Sequence, residues 1–447
     1  MKNFSKDSLI TFFSEVLIFV FGFIALIILA RILGPAGKGI YSLIILIPTL
    51  VLTFGSFGIE SSNVYFVGSR KYKIQDIVSN SLISAIFLGL ILIILFWALF
   101  QLDFFKKFID SNQIPSFYLW IVVFSIPLSL LLSFFKNVIR GKGEITNYNK
   151  VKILESILGL AMIIIFLIIL KQNISGAVFS YVLSITGAAL FAVILVKKIT
   201  KINFSFNKKL LKDSFFYGGK VYLANTASFL NYRLDMLLIA LFLNPIAVGF
   251  YSISVGMAEK LFMMPGALAT VLFPKISSLK IPEADNFTPK IIRHTFFIMI
   301  VSSLMLFFLA KPLIILFFGS VFLPSLMPLI ILLPGIIAFG VGGVLAADLA
   351  GRGKPQFAVY SSLACLAINV PLNIILIPKW GISGAAVASA IAYCVDTLIV
   401  LIAFLKISKK PLAEILLIKK QDFEDYFHIF LNLKDNFQKK FNKNKLW

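Results

Sequence analysis

Runs of about twenty apolar residues, repeated along almost the whole chain, constrain this sequence more than any other feature. The first, Leu9 to Ala30, carries only Thr11, Ser14 and Glu15 as polar side chains. A helix rises 1.5 Å per residue, so about twenty residues cross the ~30 Å of hydrocarbon in a bilayer. In lipid each backbone amide and carbonyl must be satisfied within its own segment, which leaves helices as the structure for such runs. Twelve spans are predicted. Six lie near 9–30, 40–66, 77–100, 116–139, 151–170 and 174–196. Six more lie near 214–243, 247–273, 291–311, 324–349, 357–377 and 383–405. The first run is too long for the apolar core of a signal peptide, holds Glu15 and leads into another span, so it reads as a helix that stays. The apolar stretch 312–323 reads as re-entrant or interfacial.

Composition agrees and narrows the function classes. Hydrophobic residues make up 59% of the 447 and charged residues only 14%, against about a quarter charged in soluble domains. A net charge of +22 would suggest nucleic acid in a soluble protein; here the placement of the charges matters, and no nucleic-acid partner is expected. Lys and Arg crowd one set of loops, including Arg70, Lys71, Lys73, Arg140, Lys142, Lys197, Lys198, Lys208 and Lys209. The other set holds few, among them Arg31, Lys38, Lys106 and Lys107. The bias is about three to one, which predicts both termini in the cytoplasm. Two isolated cysteines, Cys365 and Cys394, and two histidines, His294 and His428, offer no disulfide framework and no metal site. There is no P-loop, dinucleotide fingerprint or GxSxG elbow, so neither a cofactor nor an enzyme is expected.

The chain repeats itself. LGPAGKGIYSL at 33–43 matches LNPIAVGFYSI at 243–253, with Pro35/Pro245, Gly39/Gly249, Tyr41/Tyr251 and Ser42/Ser252 at a constant offset of 210. Gly141-Lys142-Gly143 lies over Gly351-Arg352-Gly353 at the same offset, and ISGA at 174–177 matches 382–385. An offset spanning six helices keeps the topology parallel, so the halves should relate by a twofold along the membrane normal. The expected domains are a six-helix bundle at 1–200, a second at 201–407 and a tail at 408–447. Phe423, Tyr426, Phe427, Phe430, Phe437 and Phe441 recur in the tail at helical spacing among lysines. That pattern suits a basic amphipathic helix on the inner membrane surface, or a solvated tail.

Polar residues at membrane depth are costly and mark candidate sites. On the seventh span Asn225, Ser228, Asn231, Tyr232 and Asp235 form one stripe about 100° wide, which suggests a water-lined lumen. Arg233 stands roughly 200° from Asp235 on a regular helix, so the two cannot simply satisfy each other. One is expected to face a cavity and the other to meet a neighbouring helix, with a purely structural ion pair as the alternative. Glu259 and Lys260 on the eighth span and Asp396 on the twelfth are the other deep charges. Glu15, Glu60, Glu155 and Asp348 fall near the inner face, where they can meet water. Prolines 48, 127, 265, 334 and 371 predict kinks, and Gly342, Ala346 and Ala350 predict close helix packing.

ARILGPAGKGIYSL at 30–43, NYRLDMLLIALFLNPIAVGFYSIS at 231–254 and VLFPKIS at 271–277 together resemble the polysaccharide-unit flippases, as do VIRGKGEITNYN at 138–149 and the run from Leu349 to Tyr393. These are the Wzx-type O-antigen and capsule exporters of the multidrug/oligosaccharidyl-lipid/polysaccharide (MOP) superfamily. The resemblance implies an all-α polytopic protein of two six-helix bundles with pseudo-twofold symmetry and alternating access, a fold shared with MATE transporters. It implies a bacterial inner-membrane protein that flips oligosaccharide repeat units on undecaprenyl pyrophosphate, driven by protons or sodium, in contact with membrane lipids and feeding a polysaccharide polymerase. The resemblance carries a role to Arg233 and Asp235 alone. With the other polar residues at membrane depth, the candidate cargo-binding residues are Arg233, Asn225, Asn231 and Tyr232, and the candidate ion-coupling residues are Asp235, Glu259 and Asp396. A drug/cation antiporter and a lipid II flippase of the same fold are the competing readings.

Overall fold

The computed structural model describes the backbone of residues 2–417 and 419, with the side chains of 2–9, 220, 221, 224, 225, 274, 278 and 281 set aside. The amphipathic-tail expectation falls almost wholly outside the described residues. Among those described there is no strand. The helices are α1 (Lys2–Gly55), α2 (Ile59–Ser69), α3 (Ile74–Gln101), α4 (Asp103–Ser111), α5 (Ser116–Phe124), α6 (Ile126–Gly141), α7 (Ile145–Ile163) and α8 (Ile174–Ile199). Then follow α9 (Lys208–Phe242), α10 (Pro245–Ala258), α11 (Met263–Ser278), α12 (Ile281–Phe318), α13 (Leu326–Gly351), α14 (Gln356–Ser408) and α15 (Leu412–Leu416).

Nine runs among the described residues are long and apolar enough to cross a membrane. Two of them are interrupted at a glycine, α1 at Gly34 (φ 64°) and α14 at Gly381 (φ 58°), and each is long enough for two crossings. With α9, whose polar stripe makes it the least apolar of the long helices, these account for the expected spans, with one exception. The second, expected over 40–66, ends at Gly55, and the chain starts a new helix, α2, at Ile59 after a left-handed Gly58 (φ 72°). The left-handed turn at Gly34 is followed at once by Pro35, whose fixed φ suits the first turn of the next arm. The uncertain stretch after Lys311 is no separate segment: α12 runs through Pro312 to Phe318, and a short 3₁₀ turn at Ser320–Ser325 follows.

Two spans are broken where prolines remove a helical hydrogen bond. The fourth splits at Ser125, two residues before Pro127, and Ser125 turns both its amide and its hydroxyl to the Val122 carbonyl. The eighth splits at a 3₁₀ turn, Glu259–Phe262, just ahead of Pro265. The repeat is visible in the backbone as well. Gly143 and Gly353, 210 residues apart, share a left-handed conformation with φ of 80° and 76°.

The described chain separates into two compact units. The first comprises Met1–Lys260, Phe307–Gly335 and Ser362–Tyr393; the second comprises Leu261–Leu306, Ile336–Ser361 and the described residues from Cys394 onward. Within the first, Phe66, Phe135, Val138, Val151, Ala188 and Val196 form one apolar cluster. Within the second, Leu272, Ile292, Val344, Leu345, Val400 and Phe404 do the same. Large apolar side chains such as Phe87, Ile94 and Phe308 point outward, as they must where lipid is the solvent. Packing and interhelical hydrogen bonds, rather than expulsion from water, therefore hold such helices together.

The first unit contains a close crossing of the repeated motif upon itself. A Cβ added at Gly39 would lie 1.7 Å from the Pro245 carbonyl oxygen, and one added at Gly249 would lie 2.0 Å from that of Pro35. The two copies meet backbone to backbone, each through the other's proline. Only glycine fits either place.

Candidate functional site

Arg233 lies on α9 midway along its polar stretch, and the break in the eighth span brings a carboxylate to it. Its Nη1 donates to Glu259 Oε1 at 2.9 Å and its Nη2 to Glu259 Oε2 at 3.2 Å, a two-pronged pair. Nη1 also reaches the Tyr232 carbonyl at 3.2 Å. The pair is partly open, with side-chain exposures of 33% and 21%, so it is accessible to something that could compete for the guanidinium. Lys260, next to Glu259, places its ammonium 5.2 Å from the Phe19 ring centre.

Lys38 adds a second cation that the sequence reading assigned to a loop. Because helix resumes immediately at Pro35, Lys38 falls inside the second arm of α1 and is buried. Its ammonium donates to Ser42 Oγ at 2.8 Å and lies 5.8 Å from the Tyr41 ring centre. No carboxylate meets it, and it lies within electrostatic reach of Arg233. A buried ammonium with one neutral hydroxyl as its partner is costly.

Asp235 is buried in a separate arrangement. Its Oδ1 accepts from the Met236 amide at 2.7 Å, and its Oδ2 accepts from the Tyr251 hydroxyl at 2.6 Å and from Ser389 Oγ at 3.3 Å. Asn369 donates to Ser389 Oγ at 3.5 Å, and Asn373 donates to Asn369 Oδ1 at 2.6 Å. The chain of polar groups ends at the buried Asn373 Oδ1, which has no partner. Higher on the stripe Ser228 Oγ lies 3.2 Å from Ser362 Oγ, and Asn231 donates to the Ser362 carbonyl at 2.9 Å while its own Oδ1 stays buried and unpaired. The stripe of α9 therefore faces hydroxyls and amides of α14, and both Arg233 and Asp235 have partners.

Tyr232 places its ring 6.3 Å from that of Tyr393. The side chain of Asn225 lies outside those described. Asp396 is buried in the second compact unit near Ser361, whose hydroxyl donates to the Ala358 carbonyl at 3.1 Å. Sequence reasoning missed Lys38, Ser362, Asn369, Asn373 and Ser389. A signal for three of them existed: residues 362, 369 and 373 follow the i, i+7, i+11 spacing of one helical face on an otherwise apolar span.

A solved structure of a lipid II flippase in its inward closed conformation aligns over 95% of this chain and 92% of its own, with a TM-score of 0.74 at 18% identity. The fold of the described residues is therefore the all-helical, polytopic fold of that flippase. The polysaccharide biosynthesis protein family matches residues 4–280, and the chain belongs to that family. Among curated relatives, a putative O-antigen transporter of Shigella flexneri is 23% identical over 83% of this chain and 90% of its own length. An uncharacterised membrane protein of Methanocaldococcus jannaschii is 24% identical over 90% of this chain and 98% of its own.

Proposed function

We propose that this transporter flips oligosaccharide repeat units, carried on undecaprenyl pyrophosphate, across a bacterial cytoplasmic membrane for surface polysaccharide assembly. The observation that carries the reading is the cluster centred on Arg233, in which three cations, Lys38, Arg233 and Lys260, stand against two carboxylates, Glu259 and Asp235. An anion is the partner that such a surplus lacks. A pyrophosphate supplies oxygens for the fork of a guanidinium and for an ammonium together. On this reading Glu259 holds Arg233 while no cargo is bound and yields it when a phosphate arrives.

Asp235 is the favoured coupling site. A buried carboxylate linked through Ser389 and Asn369 to an unpaired amide oxygen suits a proton or a sodium ion. Asp396, beside Ser361, is a second candidate acid. The bundles 1–200 and 201–407 would open alternately to each side, with both termini cytoplasmic as the loop lysines and arginines suggest. A polysaccharide polymerase would receive the product.

The test is surface glycan set beside membrane abundance in cells that depend on this chain. Arg233→Ala and Lys38→Met are expected to keep normal abundance and to lose export by roughly tenfold or more, while Arg233→Lys keeps part of it. Normal export from well-expressed Arg233→Ala would end the cargo role. Loss of folded protein in both Arg233→Ala and Glu259→Gln would show a structural pair instead.

A further inference from the structure

Beside Gly58 the first compact unit holds a cavity of about 200 Å³ that the charge cluster does not use. Glu60 at the start of α2, Thr53 and Ser56 at the end of the α1 arm, and Tyr222, Thr226 and Phe229 on α9 line it. One water needs about 10–15 Å³ of such space, and whole drug-sized ligands occupy about 300–1,000 Å³. The cavity is the size of one ring of a larger molecule.

Its polar groups are mostly acceptors. Glu60 Oε1 accepts from Ser133 at 3.0 Å, and its second oxygen has no protein donor. The Thr53 hydroxyl donates to the Thr49 carbonyl at 2.8 Å, and Tyr222 donates to the Phe54 carbonyl at 2.7 Å. Both oxygens thereby keep lone pairs to offer. Thr226 Oγ1 is buried and has no partner, although a hydroxyl can both donate and accept. An unsatisfied buried hydroxyl is expensive unless something in the cavity completes it. The occupant must bring several O–H or N–H donors and present an apolar face to Phe229.

We propose that this cavity is a glycosyl subsite, in which Glu60 and Thr226 hydrogen-bond the hydroxyls of one sugar ring of the cargo. A pyranose fits the description: hydroxyls around the rim for the carboxylate and Thr226, and a C–H face for the aromatic ring. A bare cation fits less well, because it needs oxygens at about 2.3–2.6 Å on all sides rather than a ring-sized space. The cavity is closed at Gly58, where an added Cβ would lie 2.4 Å from the Gly218 carbonyl oxygen and where α2 and α9 stack Tyr65 on Tyr217 at 4.1 Å. A sugar held there would sit behind a closed contact between the two helices. This inference rests on the flippase reading for its ligand class.

Saturation-transfer NMR on the full chain in nanodiscs, against a panel of methyl hexosides and methyl N-acetylhexosaminides, tests it. At least one glycoside should receive saturation, and the signal should fall roughly tenfold in Thr226→Val and Glu60→Gln and return in Thr226→Ser. Asp213→Asn, which breaks only an exposed ion pair with Lys71, should leave it unchanged. Absence of any signal in the unmodified protein, or equal signals in both variants, overturns the subsite. So does sodium binding, read by ²³Na relaxation, that is lost in Glu60→Gln while no glycoside binds. Glycoside binding without export of any lipid-linked glycan would instead sink the flippase reading and leave the subsite standing.

Discussion

Two arginines of the carboxyl-terminal half, Arg352 and Arg233, sit in environments of opposite kind. Arg352 is 7% exposed and ends α13 between two carboxylates, with its Nε donating to Asp348 Oδ2 at 2.6 Å and its Nη1 to Asp285. Asp348 is fully buried and also accepts from Thr288 at 2.6 Å, while the guanidinium covers the Phe404 ring at 5.4 Å. That cluster joins α12, α13 and α14 within the second compact unit and leaves no cation unmatched. Around Arg233 one carboxylate serves one guanidinium, and buried Lys38 has none. Charge that is paired and sealed fastens helices; on the function proposed above, the cations around Arg233 are instead held for a ligand.

The comparison predicts its own largest contrast. Arg352→Ala strands Asp348 as a buried, unpaired carboxylate, a loss of about 3–5 kcal/mol for a broken buried pair. Membrane abundance of Arg352→Ala should therefore collapse, whereas Arg233→Ala stays abundant. Quantitative immunoblots of membranes decide it, and equal abundance of the two variants would erase the distinction.

A middle-sized effect is expected at the motif crossing. In Gly39→Ala the new methyl lies against the Pro245 carbonyl, and such overpacking costs ~1–3 kcal/mol. Relief comes from parting the two copies of the motif, next to Lys38. That gain in open population corresponds to roughly tenfold faster labelling of Lys38 by a membrane-impermeant amine reagent, read by mass spectrometry. Unchanged labelling would mean that the crossing does not gate Lys38.

Much of this was legible in the sequence, for reasons that particular residues make plain. Apolar runs of span length announce helices because lipid allows little else, and the offset of 210 foretold the matching backbone at Gly143 and Gly353. That Arg233 and Asp235 would need different partners followed from helical angle alone. The identity of those partners did not. Glu259 reaches Arg233 from 26 residues away because the eighth span breaks ahead of Pro265. Asp235 meets Ser389 from 154 residues away, a distance over which periodicity says nothing. Lys38 was misread because a glycine and a proline suggest a loop, although Pro35 directly after a left-handed Gly34 equally marks the first turn of a helix.

The smallest effect is expected where an ion pair lies outside the spans. Asp213, near the start of α9, accepts from Lys71 Nζ at 2.8 Å and from the Tyr72 hydroxyl at 2.6 Å. The Lys71 bond, and after it the Tyr72 bond, hold the Asp213 carboxyl below the usual carboxylate range. A depressed folded value means that the pair stabilises the protein above the ordinary carboxylate value of about 3.9, and that this contribution is lost as pH falls through the folded value. Nothing should change across the neutral range. The pair is well exposed, so water and salt screen it. Asp213→Asn should consequently leave abundance and export intact, and at pH 7 in low salt should lower the thermal midpoint of the purified protein only slightly. That gap should close at about 1 M salt, where the screening length is ~3 Å. It should also close as pH falls through the depressed folded value of Asp213, where the unmodified protein loses the same interaction. A loss in Asp213→Asn as large as that in Arg352→Ala would mean that burial does not separate fastening charges from incidental ones in this protein.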